Sequence, residues 1–277
     1  MVDASRANLR RIDQEQNNQY KRTLAFIFFL IISLTMITVT FLNPVFMKKQ
    51  IRTNNNQALV VKQINVHFDT LANLIGDSAD DNSNLLTDNQ TQPIADHIID
   101  YTLGLHWVRL SDTELANQIL NDIDKNIDQS STTDAQHIRR KLKLQGNNAN
   151  YFISQAFSLN VVVLGANIAS LLIIVNIIII IVTIIALISL IKDMKMRSNN
   201  RSLIHDITAA GMWTGFWLIL ICGLLSVIPV FVNIESLNLG TLGYLIEISS
   251  TILLDFVIAG VVLYVICAIP WQITATK

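Results

Sequence analysis

The sequence predicts a membrane protein of the all-α class. Four transmembrane helices are expected, with a mostly helical extracytoplasmic domain between the first and second. Three observations predict it. Hydrophobic residues make up 51% of the chain and are clumped into four long runs. Charged residues make up only 15%, against about 25% in an ordinary soluble domain. Lys and Arg gather at the ends of the runs that would share one side of a membrane.

A hydrocarbon core about 30 Å thick needs roughly 20 apolar residues in a helix. The runs at 23–46, 157–191, 212–233 and 245–270 meet that requirement. Residues 1–22 form a tail before the first. The first run is longer than the roughly 7–15 apolar residues of a secretory signal, and Met47-Lys48-Lys49 follows it where a small-residue cleavage site would stand. It is therefore expected to be an uncleaved anchor. The second run is longer than one span needs, so it tilts or rises out of the lipid as a stalk. Asn160 and Asn167 share one face near its start, which the stalk reading places against protein or water.

Basic residues set the expected orientation, because Lys and Arg are retained in short cytoplasmic flanks. The tail carries Arg6, Arg10, Arg11, Lys21 and Arg22, and the 192–211 loop carries Lys192, Lys195, Arg197 and Arg201. The short 234–244 loop carries no Lys or Arg, and acidic Glu235 and Glu247 stand at its margins. Both termini, including the 271–277 tail, are thus expected in the cytoplasm and residues 47–156 outside. Lys48, Lys49 and Arg52 point the other way but open a long segment, where the rule weakens. Trp213, Trp217 and Trp271 fall at the inner interface and Tyr244 at the outer one, as an aromatic belt requires.

The 47–156 segment reads as a domain with its own core. Val60, Ile64, Phe68, Leu71 and Ile75 repeat at helical spacing. Thr87-x-x-Gln90 and Ser111-x-x-Glu114 have the form of capping boxes. Helices follow them, with Ile94, Ile98 and Tyr101 on one and Leu115, Ile119, Ile123 and Ile127 on the next. A short strand over Leu103–Leu110 would make the domain α+β. The 77–92 segment is an acidic, Asn-rich loop, and a basic run, Arg139-Arg140-Lys141-x-Lys143, precedes the second span.

Asp96, His97, Asp100 and His106 form the one cluster of ligand-type side chains. Two carboxylates a helical turn apart could hold a hard cation, but a solvated helix face is the expected reading. The Asp77–Asp88 acids lack the glycine and final glutamate of a calcium loop. No nucleophile elbow, zinc-protease motif or phosphate-binding glycine loop occurs. No catalytic, cofactor-binding or metal-binding residue is assigned, and enzymatic activity of this chain alone is not expected. The net charge of −1 offers no basic field for nucleic acid. Cys222 and Cys267 lie in apolar runs and read as small hydrophobes.

In the membrane part, Asp255 lies about three turns into the fourth run. A central Asp costs about 2.5–3.5 kcal/mol on insertion scales, so such residues usually face a bundle interior or cavity. Asp255, Glu247 and Asn167 are the candidates for an intramembrane polar site, with Ser226 as another partner for Asp255. Gly165-x-x-x-Ala169 and Gly211-x-x-x-Gly215 are small-residue pairs that permit close helix approach.

The layout resembles the FtsX-like permease family of ABC systems, which includes the cell-division FtsX proteins and MacB-type exporters. Two stretches within 157–277 carry the resemblance. The family's loop after the second span bears a short helix of the form Glu-Ile-x-x-x-Arg-Ala-x-Gly. Leu203-Ile204-His205-Asp206-Ile207-Thr208-Ala209-Ala210-Gly211 matches it at Ile204, Ala209 and Gly211. Leu203 stands where the acid is usual and Thr208 where the basic residue is. The last span ends at Ile269-Pro270-Trp271, as the family's tends to, but the tail after it carries only Lys277. The resemblance implies a permease subunit without its own ATPase, whose Ile204, Ala209 and Gly211 belong to a coupling helix for a separate ATPase. It further implies that ATP-driven movement reaches the external domain and changes that domain's grip on an extracytoplasmic protein or ligand.

Two other functions fit the same residues. One is a non-catalytic sensor or scaffold of the cell envelope. The other is a small ion-coupled transporter using Asp255, which would need an oligomer such as a homodimer. The Asn- and Ile-rich composition suggests a bacterial plasma membrane as the location.

Overall fold

A computed structural model describes residues 2–77, 84–104, 111–231 and 241–275. It covers their side chains except at 2–17, 54–55, 229–231 and 241–247. Among the described residues helices dominate and no strand occurs. Ten α-helices follow in order: α1 Val2–Val39, α2 Pro44–Ile51, α3 Asn54–Leu74, α4 Asp88–Leu103, α5 Asp112–Asn126, α6 Thr133–Leu144, α7 Ala149–Ala156, α8 Leu159–Arg197, α9 Asn200–Phe231 and α10 Thr241–Ala275.

Four of them are long and apolar enough to cross a membrane, over Asn18–Val39, Leu159–Arg197, Asn200–Ile228 and Ile248–Ala275. Their side chains confirm the solvent they suit. Leu171, Ile185 and Ile188 of α8 are each more than 60% exposed, and Leu224 of α9 and Ile266 of α10 equally so. Contiguous apolar surface on this scale is not left in water by a soluble protein. The chain is a multi-pass membrane protein.

The first span ends earlier than the 23–46 run suggests. Helix α1 stops at Val39, and Asn43, the residue before Pro44, is extended at φ −107° and ψ 113°, as a following proline favours. Asn43 instead caps α2, its Oδ1 accepting from the N–H groups of Val45 at 3.0 Å and Phe46 at 3.3 Å. The 192–211 segment is also more helical than a loop. Helix α8 runs to Arg197 and α9 begins at Asn200, so the nine residues from Leu203 to Gly211 open a long helix instead of forming a separate short one. Leu203 lies in the first turn of α9, its N–H bonded to the Asn199 carbonyl. Of the expected 103–110 strand, Leu103 belongs to α4 and residues 105–110 lie outside the description, as do 234–240 of the short loop.

The chain divides into two compact units. The first is built mainly from Val39–Ile174. Its core holds Ile64, Phe68, Leu71 and Ile75 of the α3 repeat and Ile94 and Tyr101 of α4. It also holds Leu115, Ile119, Ile123 and Ile127 from α5 and its end, with Val60 and Ile98 at the margin. Helices α6 and α7 add Ile138, Leu142 and Ile153. Thr87 opens α4 with its N–H on Gln90 Oε1 at 2.9 Å, one half of the capping box. Ser111 takes the cap position of α5 but makes no side-chain capping bond. Buried Asn65 works as a clamp on the chain before α4. It accepts from the Leu86 N–H at 2.8 Å and donates to the Leu86 carbonyl at 3.0 Å. Gly76, at φ +74°, closes α3 in the left-handed conformation that a side chain would resist, and Asp77 N–H then reaches the Ala72 carbonyl.

Helix α8 begins inside this unit. Leu159 and Ala166 belong to its core, while Asn160 and Asn167 are exposed. Ser158 turns the chain from α7 into α8 at φ 48°, a conformation uncommon outside glycine. His67 of α3 holds that corner. Its ring stacks on Phe157 at 5.3 Å, and its Nδ1 lies 2.9 Å from the Ala156 carbonyl. A carbonyl only accepts, so Nδ1 carries the proton. Nε2 then accepts from the Gln63 amide at 3.1 Å.

Burial pushes the His67 pKa below its ordinary value, against the opposing pull of the Ala156 carbonyl. The unfolded chain therefore takes up the proton first as pH falls. The stability that neutral His67 contributes is present above about pH 6.5 and is lost as pH drops from there toward the folded-state pKa. Thermal unfolding of the full chain in detergent between pH 8 and pH 5 should show this loss. His67→Gln should remove that part of the slope, leaving only the carboxylate-driven fall at lower pH.

The second unit comprises α1 up to Thr38, α8 from Val175, α9, and α10 from Ser249. Helices α9 and α10 cross at glycines. A Cβ on Gly215 would lie 2.7 Å from the Gly260 carbonyl oxygen and 3.0 Å from the Tyr264 nitrogen, and one on Gly260 would lie 3.0 Å from the Gly215 carbonyl oxygen. Gly211, one turn earlier, faces the Cys267 side chain. The Gly211-x-x-x-Gly215 pair is thus a seat for α10. Helix α1 is held to α9 by Thr214, whose hydroxyl lies 3.1 Å from the Ala25 carbonyl and 3.0 Å from that of Ala210.

Candidate functional site

The residues of greatest functional interest gather at one end of the second unit, where α1, the end of α8, the start of α9 and the end of α10 meet. Leu24, Met194, Leu203 and Ala210 form a small apolar core there, with Tyr20, Phe28, Leu190 and Ile207 against it. Asp206, 2% exposed, sits among these apolar groups and is paired with Lys21 at 2.9 Å. The carboxylate keeps its charge company on one side only, since Lys21 remains partly open to water. Removing Lys21 would leave a buried charge without its cation, the costly half of a buried pair.

Arg201 reaches across to the end of α10. Its Nε donates to the Thr274 carbonyl at 3.2 Å and its second terminal nitrogen to the Ile273 carbonyl at 3.4 Å. These carbonyls lie in the last turn of α10, where the helix itself supplies no donor and the dipole favours a cation. His205 stacks on Trp271 at 5.4 Å and meets the Thr274 hydroxyl at 3.1 Å. Arg197 lies over the Tyr20 ring at 5.6 Å. The start of α9 is thereby tied to α1 and α10 by polar groups that composition alone does not single out. The one signal in the sequence is Asp206, a lone acid in an apolar helical stretch.

The candidate coupling residues separate. Ile204 is 47% exposed, Ala209 is half-buried, and Gly211 is buried against α10. Of the three, Ile204 alone is exposed, as are Met196 and Lys195 at the end of α8.

The candidate polar site in the membrane is not assembled within either unit. Asn167 lies on α8 in the first unit and Asp255, half-buried, on α10 in the second. The Glu247 side chain lies outside the description. Ser226 donates its hydroxyl to the Gly223 carbonyl of its own helix at 2.9 Å. Asn176 of α8 is a buried polar residue that hydropathy alone does not single out.

In the first unit the acidic face of α4 is not an open cation site. Lys48 is 2.7 Å from Asp100, Arg52 pairs with Asp96, and His97 Nδ1 is 2.6 Å from Asp122. His106 lies outside the description. Among the described residues no group of three His, Cys, Asp or Glu could hold a metal ion. The basic run of α6 is largely engaged as well. Arg139 and Lys143 bind Asp124 at 2.9 and 2.8 Å, and Lys141 binds Asp77 at 3.2 Å. Burial pushes the Asp77 carboxyl up, but hydrogen bonds from His137 and Lys141 outweigh it and hold it below the usual range.

Three comparisons were made, with protein-family models, with curated proteins and with solved structures, and none gives a match to this chain.

Proposed function

We propose that the chain is a permease-like membrane subunit of an ABC-type system, coupling a separate cytoplasmic ATPase to an extracytoplasmic domain. The observation that carries this reading is helix α8. It places Leu159 and Ala166 in the core of the first unit and Met194 in the apolar cluster of the second. Its 39 residues span about 58 Å, nearly twice the hydrocarbon thickness. One unbroken helix is a stiff element on which a push at one end is felt at the other.

In this account the α8–α9 connection, with exposed Ile204, Met196, Lys195 and Arg201, meets the ATPase in the cytoplasm. The domain at 47–156 lies outside a bacterial plasma membrane and changes its hold on a protein or ligand there. The ion pairs of Lys48 with Asp100 and Arg52 with Asp96 support that placement. They engage two of the three basic residues that argue for the opposite orientation.

Affinity purification of the full chain from native membranes tests the reading. A nucleotide-binding subunit should accompany it, and Ile204→Glu should release that subunit. If the intact complex never contains one, the coupling account fails.

A further inference from the structure

A groove of about 630 Å³ opens between α1 and α9. Its volume falls in the range of sites that bury most of a small organic ligand. Phe26, Phe29, Trp213, Trp217 and Ile221 supply apolar walls, and Lys21 and Arg22 stand at one end. The Thr214 hydroxyl near the Ala25 carbonyl fixes the two helices that frame it.

The two cations are not equivalent. Lys21 is satisfied by Asp206, whereas exposed Arg22 has no ion pair among the described residues. Trp213 is 58% exposed and Trp217 46%, so the aromatic wall faces outward beside the charge. An apolar trough leading to an unpaired guanidinium, with tryptophans at the border, matches an amphiphile with an acyl chain and an anionic phosphate head. A flat helix face would meet lipid without such a recess.

We propose that this groove is a binding site for one anionic phospholipid, its acyl chain along Phe26, Phe29 and Ile221 and its phosphate on Arg22. Basic pockets between membrane helices select lipid head groups in this way. The site rests on the membrane-spanning character of α1 and α9 and is independent of any ATPase partner.

Native mass spectrometry of the full chain, extracted from vesicles of equal phosphatidylglycerol and phosphatidylcholine, tests it. The unaltered chain should retain one phosphatidylglycerol in preference to phosphatidylcholine. Arg22→Gln should reduce that retention by about fivefold, the weight of one basic charge at an anionic surface. Arg140→Gln, at an exposed site on α6, should leave it unchanged. Equal retention of the two lipids by the unaltered chain overturns the proposal without recourse to any variant. So does undiminished phosphatidylglycerol on Arg22→Gln.

Discussion

Gly215→Val is expected to drive α9 and α10 apart and to abolish the cooperative thermal transition of the membrane part. The new Cβ would meet the Gly260 carbonyl oxygen at 2.7 Å and the Tyr264 nitrogen at 3.0 Å. Both are backbone atoms, so no rotamer change relieves the clash. Overpacking a well-filled core costs about 1–3 kcal/mol when side chains can shift, and more is expected where they cannot. Two further variants separate this cause from general sensitivity. Gly223→Ala should be near neutral, because its Cβ would meet only the Val257 side chain at 3.9 Å. Gly211→Ala strikes the Cys267 side chain, so Cys267→Ala in the same chain should restore stability. No single side-chain truncation should rescue Gly215→Val. Thermal unfolding in detergent, with equal detergent for every variant, reads all of these.

Phe68→Ala carries the second large effect. Phe68 is fully buried and shares the core of the first unit with Leu71, Leu115 and Ile119. Emptying such a site removes transfer free energy and leaves a cavity, together about 3–5 kcal/mol. That is a large part of the 5–15 kcal/mol that typically holds a domain folded. Limited proteolysis of the full chain should show the 47–156 domain cut at protease levels that leave the parent intact. Val66→Ala, two residues away on the exposed face, should change little, within about 0.5 kcal/mol.

These two sites differ in how plainly the sequence announces them. Phe68 was legible because helical periodicity is a local rule. Ile64, Phe68, Leu71 and Ile75 name a buried face without knowledge of what covers it. The long apolar runs were legible for the same reason, since partition into lipid depends on composition and length. The break at Thr40–Asn43 was only half legible. Hydropathy continues through Leu42 and Phe46, and Asn43-Pro44 has to be read as a helix start instead of a helix end.

The end of the bundle was the least legible part. Lys21 and Asp206 are far apart in sequence, and the Arg201 bonds to the carbonyls of Ile273 and Thr274 depend on where α10 ends. No spacing rule joins such residues. Gly211 shows the opposite risk. It matches the coupling motif and is also half of the Gly211-x-x-x-Gly215 pair, and the Cys267 side chain beside it shows the close approach that the pair permits. Asp96 and Asp100 have the spacing of a cation site, but Lys48 of α2 and Arg52 at its C-terminal cap pair with them.

The account depends on which compartment each polar segment occupies, and labelling of single cysteines measures that most directly. Cys222 and Cys267 are first replaced by serine, and one cysteine is placed at Arg140 or at Asn199, both exposed positions. A membrane-impermeant maleimide should label Arg140→Cys in intact cells and Asn199→Cys only after lysis. Labelling of both positions from the same side, or the reverse order, would contradict the account.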